Sequence, residues 1–295
     1  MCRLAAFPPG FSKEQAIAIL KPFTSWNDDG VGTAYVDAAG RLVVNKAPMV
    51  LEKALEAGCK LFDHMPHDGW TIAHLRAASN GETSMVNTHP FVKDDWAFCH
   101  NGIWGGYRLA KALIPSLSVD GETDTEVAAA LWAHLGPDGF VKAINEGGVY
   151  LALERSGQVI VYVTHGDLEY KRLENGTMLI ASKLPSDMKK VRDVESGWIQ
   201  LNPNGTIAHM SAKTSARHEW AGGNYQAGSQ YVPGHYENGA WRSYQQHGLG
   251  AGGSVGGVSG SADGDTDKPS SDTPPADDKG VHYPGQGTLW PSCDD

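Results

Sequence analysis

Apolar residues recur in short bursts through the first two thirds of the chain, and the spacing within each burst predicts its element. Ala16, Ile17 and Leu20 fall at helical spacing behind Ser12, whose side chain can cap free N–H groups, so a helix is predicted over Ser12 to Leu20. A second is predicted over Met49 to Ala57. Thr33 to Val36 and Leu42 to Asn45 flank Asp37-Ala38-Ala39-Gly40 and read as a hairpin. Thr71 to Arg76 and Trp96 to His100 read as short strands bounded by polar loops containing glycine, and Thr125 to His134 and Gly139 to Asn145 as helices. Four strands follow, Val149 to Glu154, Val159 to Thr164, Glu169 to Leu173 and Met178 to Ser182, and the turns Ser156-Gly157 and Asn175-Gly176 make them an antiparallel meander. Strands cluster and helices pair without a regular strand-helix-strand spacing, which gives an α+β class with largely antiparallel sheets.

The pattern stops near residue 220. Of the 36 glycines, 16 lie in the last 75 residues, with runs such as Gly248 to Ser254 and Ser270 to Asp278 that cannot bury enough apolar area to offset ordering entropy. The chain therefore divides into a domain over residues 1–215 and a Gly/Pro/Asp-rich tail over 216–295 that is expected to be disordered. Tyr225, Tyr231, Tyr236, Trp241, Tyr244, Tyr283 and Trp290 interrupt the tail, either as docking points for a partner or as aromatics that brush the domain surface.

Charge narrows the function classes. The net charge is −10, and the last 75 residues hold nine acidic against three basic residues, so the domain itself is close to balanced. No basic block exists, which argues against nucleic acid as a ligand. No run of eighteen apolar residues exists, and Pro8-Pro9-Gly10 cuts off the N-terminal apolar stretch before a secretory core could form, so a soluble, cytoplasmic protein with no membrane partner is expected. Cys2, Cys59, Cys99 and Cys293 form no C-x-x-C pair, which argues against a disulfide framework and a cysteine zinc cage. His64 and His67 lie three apart around Pro66 with no third ligand near in sequence, and no metal is expected there. Cys59 and Cys99 read as buried packing residues, and His74 and His100 as structural histidines at strand ends.

Four segments could carry chemistry. Loss of Met1 would leave Cys2 with a free α-amine of ordinary pKa about 7.7–8.0 beside its own thiol, a built-in general base. Arg76 stands where a strand gives way to the loop Ala77-Ala78-Ser79-Asn80-Gly81, suited to bidentate capture of a carboxylate or to a plain surface ion pair. Asn101-Gly102 follows the end of the strand containing Cys99 and His100; an Asn amide and the Gly N–H can donate together to an oxyanion, or form an ordinary Asn-Gly turn. Gly121-Glu122-Thr123-Asp124-Thr125-Glu126 precedes a helix, where acids and hydroxyls cap.

Taken together, Cys2, Arg76 in His74-Leu75-Arg76-Ala77-Ala78-Ser79-Asn80-Gly81, His89-Pro90, His100-Asn101-Gly102 and Asp124-Thr125-Glu126 stand in the order and approximate spacing of one family. The sequence resembles the class II glutamine amidotransferases, members of the N-terminal nucleophile hydrolases. Asn27-Asp28-Asp29-Gly30-Val31-Gly32-Thr33, with Lys46-Ala47-Pro48 after it, resembles the Asp-Gly-x-Gly stretch of their compact stand-alone branch, and Met178 to Lys183 resembles a later family strand ending in Ala-Ser. The likeness covers roughly residues 2 to 210.

The resemblance implies a four-layer αββα sandwich of two mainly antiparallel sheets. It implies Cys2 as nucleophile, its α-amine as base, and Asn101 with the Gly102 N–H as oxyanion hole. Arg76 would hold the glutamine α-carboxylate and Asp124 its α-ammonium, with Ser79, Asn80, Gly81 and His89 among the substrate contacts. No metal or organic cofactor is implied. Ser79-Asn80-Gly81 departs from the family's Thr-His-Gly or Thr-Gln-Gly, and Phe91 follows His89-Pro90, which puts substrate preference in question more than reaction type. The implied activity releases ammonia from the glutamine side chain through a γ-glutamyl thioester. The tail is too short and too biased to be a synthase, so a separate ammonia-accepting synthase is the expected partner. Two alternatives stand beside this: a stand-alone hydrolase of γ-glutamyl amides or peptides, and a catalytically silent interaction module of the same fold.

Overall fold

The computed structural model describes residues 1–217 and, further along, the backbone of a hairpin that pairs Gly234–Glu237 with Ala240–Ser243. The hairpin is a unit of its own and lies in the stretch read as lacking regular structure; the other expectations for the tail fall outside the described residues. The first half of the domain runs β1 (Arg3–Phe7), α1 (Lys13–Leu20), β2 (Gly30–Val36), β3 (Leu42–Ala47), α2 (Leu51–Glu56), β4 (Thr71–Arg76), β5 (Phe91–Lys93) and β6 (Trp96–Gly102). The second half runs α3 (Tyr107–Leu113), α4 (Asp124–Ala143), β7 (Gly148–Glu154), β8 (Val159–Val163), β9 (Glu169–Arg172), β10 (Met178–Ala181), β11 (Arg192–Leu201), β12 (Ile207–Met210) and β13 (Lys213–Ala216).

Pairing places the strands in the order β3-β2-β4-β1-β10-β9-β11-β8-β7-β6-β5, all antiparallel, with β12 and β13 also on β11. The path folds back at β11. Arg192 and Asp193 pair with β9, whereas Gly197 to Leu201 pair with β8, so one strand serves two sheets. The change of sheet coincides with a register shift between Val194 and Ser196 and with Gly197, whose φ is +115°. A Cβ there would stand 2.6 Å from Ala212 Cα and Ser211 O, so the bend demands glycine.

Three buried clusters show how the sheets are layered. Leu4, Ala6 and Ile72 of the first sheet pack with Ala97, Cys99, Leu151 and Val161 of the second, forming the core between them. The alternate residues of the same strands face outward: Ala5, Phe7, Ala73 and Leu75 meet Ala16 and Leu20 of α1 and Leu51 and Ala54 of α2. On the far side Phe98, Tyr150 and Ile160 meet Val127, Leu131 and Trp132 of α4. The order is helices, sheet, sheet, helices, the expected αββα sandwich.

Local expectations fare unevenly. Ser12 caps α1 in a full capping box with Gln15, and β4 spans the predicted Thr71–Arg76. The two helices predicted over 125–145 are segments of α4 separated at Gly136 (φ 68°, ψ 167°), just before Pro137. The meander is corrected: β7 pairs β8 and β9 pairs β10, but β8 and β9 do not pair, because the chain crosses from one sheet to the other between them. Cys59 is a half of a disulfide and not simply a packing thiol. Among the described residues no helix is long and apolar enough to cross a membrane.

Candidate active site

The first sheet carries one half of the site. Antiparallel pairing sets Arg3 opposite Leu75 and Leu4 opposite His74, which brings the residue before β1, Cys2, beside the end of β4, Arg76. Ala77 N–H donates to Cys2 Sγ at 3.5 Å, and the thiol lies 3.5 Å from Ala77 O. Burial pushes the Cys2 thiol above its ordinary value; the Ala77 N–H, the chain's amino-terminal charge and Arg76 pull it back, while Asp124 adds to the rise. Met1 still precedes Cys2, and its carbonyl accepts a hydrogen bond from Asn27 Nδ2 at 2.8 Å.

Arg76 is 1 % exposed. Its guanidinium donates to the carbonyls of Asn80 (2.9 Å), Gly81 (3.0 Å) and Glu82 (2.9 Å), so the 77–83 loop curls around the cation. Both feet of that loop are held by Asp29, whose carboxylate accepts from Ala78 N–H at 2.7 Å and Thr83 Oγ1 at 3.0 Å. Burial lowers the Arg76 pKa, and the Asp29 charge offsets part of this. Asn80 and Gly81 thus meet Arg76 through their backbone carbonyls, and Ser79 precedes them in the same loop.

The second sheet carries the other half. Asn101 and Gly102 end β6 opposite Val149 and Gly148 of β7. Gly102 has φ +153°, and a Cβ on it would fall 1.7 Å from Gly147 O, so no larger residue fits. Asn101 Nδ2 donates to Ser182 Oγ at 3.4 Å, and Asn101 Oδ1 is buried with no hydrogen-bond partner among the described residues. Thr123, not Asp124, caps α4 by accepting from Glu126 N–H at 3.2 Å. Asp124 is thereby free to take the Trp104 N–H at 2.8 Å, which ties the start of α4 to the segment just past Gly102.

Beneath these residues lie neutral histidines. His100 Nε2 sits 2.9 Å from Gly147 O, which fixes its proton there, so Nδ1 accepts from Thr125 Oγ1 at 3.2 Å. Its ring stacks on Tyr150 with 4.5 Å between centroids. Burial lowers its pKa, partly opposed by Asp124, whose Oδ2 is 3.9 Å away. His74 Nε2 pairs with His100 O at 3.0 Å, and burial holds the His74 pKa down to about 3. Both are structural, as their strand-end positions suggest. His89, expected at the substrate, is stacked on His74 at 3.9 Å and edge-on to Phe91, 3 % exposed, and no polar contact joins its ring to Cys2, Arg76, Asn101 or Asp124.

Three supporting residues escaped the sequence reading as individuals. Asp29 and Ser182 lay inside recognised stretches without assigned roles. Glu126 is buried and accepts from Lys93 Nζ (2.8 Å), Asp120 N–H (2.9 Å) and Gly121 N–H (2.6 Å), which fixes the approach to α4.

Comparison with known proteins places this arrangement. Residues 16–135 match the family model of the class-II glutamine amidotransferases. That stretch carries the family's sequence pattern. A stretch of 109 residues, 35 % of the chain, is 36 % identical to the glutamine–fructose-6-phosphate aminotransferase (isomerizing) of Escherichia coli K12, of which it covers 17 %. Among solved structures, the glutamine phosphoribosylpyrophosphate amidotransferase of B. subtilis superposes with a TM-score of 0.51 at 18 % identity, over 73 % of this chain and 49 % of that one. An allosteric regulatory enzyme of purine biosynthesis gives 0.54 at 17 % identity over the same shares. These two likenesses are of fold. The chain spans half or less of the length of each of these relatives.

Proposed function

We propose that this domain hydrolyses the side-chain amide of glutamine with Cys2 as nucleophile, once Met1 has been removed. The observation that carries the reading is the convergence of Cys2 and Arg76 from one sheet with Asn101 and Gly102 from the other and Asp124 from the start of α4, in a chain that matches this family over residues 16–135. Opposite charges on Arg76 and Asp124 suit the α-carboxylate and α-ammonium of an amino acid. The freed α-amine takes the Cys2 proton, Sγ attacks the amide carbon, and the carbonyl electron pair moves onto oxygen, where Asn101 Nδ2 and the Gly102 N–H receive it. The pair returns as the C–N bond breaks, the nitrogen leaves as ammonia with the transferred proton, and water hydrolyses the γ-glutamyl thioester to glutamate.

Cys2 is half-buried and burial raises its thiol pKa, which gives the freed α-amine its part as base. In this reading the ammonia passes to a separate acceptor enzyme in a soluble, cytoplasmic setting; transfer of nitrogen from glutamine is what the relatives' names as aminotransferase and amidotransferase describe. The test is glutamate and ammonia release by Met1-free protein from free glutamine and from γ-glutamyl amides, with Cys2→Ala as control. Turnover of glutamine that vanishes in Cys2→Ala supports the proposal. Turnover confined to γ-glutamyl conjugates replaces glutamine as substrate, and no turnover of either removes the enzymatic reading.

A further inference from the structure

Ser182 follows β10 directly and has no part in the reaction as proposed above. It is 1 % exposed and joins strands of both sheets. Its Oγ accepts the Leu4 N–H at 3.0 Å and the Asn101 Nδ2–H at 3.4 Å, while its own N–H donates to Leu4 O at 2.8 Å. Leu4 lies two residues beyond Cys2 in β1, and Asn101 ends β6 of the opposite sheet. One hydroxyl therefore spans the strand of the nucleophile and the strand of the oxyanion donor.

The Asn101 amide has little else to orient it. Its Oδ1 is buried without a partner among the described residues, so the Nδ2 contact to Ser182 is its only described side-chain hydrogen bond. Nδ2 carries two hydrogens. With one directed at Ser182 Oγ, the planar geometry fixes where the second points. The Leu4 bonds in turn hold Ser182 to β1, so the second hydrogen is set relative to Sγ and not merely relative to β6. We propose that Ser182 is a positioning residue for the oxyanion hole: it aims the free Asn101 N–H at the site of charge development and holds that donor at a fixed distance from Cys2. This rests on the glutamine-hydrolysis reading above for its catalytic consequence, but its structural content stands apart from it.

The test uses the full chain freed of Met1. Ser182→Ala is expected to lower kcat for glutamine roughly 10- to 100-fold, less than outright loss of an oxyanion donor, with KM changed by less than about threefold. In the double variant Ser182→Ala/Asn101→Ala the rate stays within about threefold of Asn101→Ala alone, because Ser182 acts through that amide. Multiplying losses in the double variant, an unchanged kcat in Ser182→Ala, or a raised KM at unchanged kcat would each overturn the proposal. A second readout needs no turnover. In NMR spectra the Asn101 side-chain amide pair, identified by its disappearance in Asn101→Ala, shifts in Ser182→Ala, while iodoacetamide alkylates Cys2 at an unchanged rate. If the wild-type chain releases no ammonia from glutamine, the activity reading fails, yet an Asn101 amide that does not move in Ser182→Ala still refutes the role given to Ser182.

Discussion

Two strand ends meet at the candidate active site, and they are built by different means. On the Cys2 side the position comes from register: five consecutive pairs, Arg3 with Leu75 through Phe7 with Thr71, deliver Cys2 next to Arg76, and side chains on both strands fill the layers above and below. On the Asn101 side it comes from missing side chains. Gly102 faces Gly148, Gly147 O occupies the space of a Cβ, and the nearby Asp124 carboxylate is recruited by a backbone N–H just beyond. Register tolerates a change of side chain because main-chain pairing persists, whereas a site made by glycine contact does not. Chemistry on the first side is therefore separable from structure, and on the second side it is not.

Mutations break that contrast in a graded way. The largest effect is expected from Cys2→Ala in the Met1-free chain: glutamine hydrolysis drops on the order of 10⁴-fold or more, while circular dichroism and melting temperature stay as in wild type. Gly102→Ala comes next and should damage both. The added Cβ would lie 1.7 Å from Gly147 O, so the end of β6 must shift, and we expect a kcat loss of roughly 10²–10³-fold with about 1–3 kcal/mol of stability lost. A stable, active Gly102→Ala protein would end the distinction drawn between the two sides. Arg76→Lys should act on binding, since an ammonium cannot reach three loop carbonyls and a carboxylate with the geometry of the guanidinium fork; steady-state kinetics should show KM raised about 10- to 100-fold (about 1.4–2.7 kcal/mol) and kcat little changed.

The smallest effect concerns the histidines shared by both sides. His74 is held down to about 3, and His89 and His100 also lie below the ordinary value, all chiefly through burial. In the unfolded chain each titrates near 6.5. Their contribution to stability is complete above that value and lost as pH falls from about 6.5 toward 3, because the unfolded chain takes up protons that the folded one refuses, at about 1.4 kcal/mol per pH unit per histidine. Melting temperature should fall over this window, and His89→Phe, which deletes one of the three, should fall less steeply. An identical slope in His89→Phe would mean that His89 is solvated.

Much of this was legible in the residues. Ser12 announces its cap and the Asn-Gly and Ser-Gly hairpin turns lie where expected, and Cys2 and Arg76, singled out separately in the sequence, are set side by side by strand register. β1 was not picked out, because Arg-Leu-Ala-Ala-Phe is buried on both faces and shows no alternation. The meander failed because a turn signal reports that the chain reverses, not which sheet receives it. Glu126 falls in a segment that reads as a helix cap, and Asp29 in a stretch noted only for its resemblance; only the fold shows that Glu126 gathers the Asp120 and Gly121 N–H groups and that Asp29 holds the Ala78 N–H and the Thr83 hydroxyl. The surroundings of His89 were not legible either, since its place beside proline in a family pattern does not show that its ring stacks on His74 in the core.

The double service of β11 has a kinetic side. Neither sheet can peel from the domain while the other persists, since both would have to release the same strand. Amide protons in β1, β7 and β10 are accordingly expected to exchange in one cooperative unit, at the free energy of global unfolding. Folding carries the matching burden. Leu4 and Ser182 are 178 residues apart when they bond, so β1 waits for nearly the whole domain before its second neighbour exists.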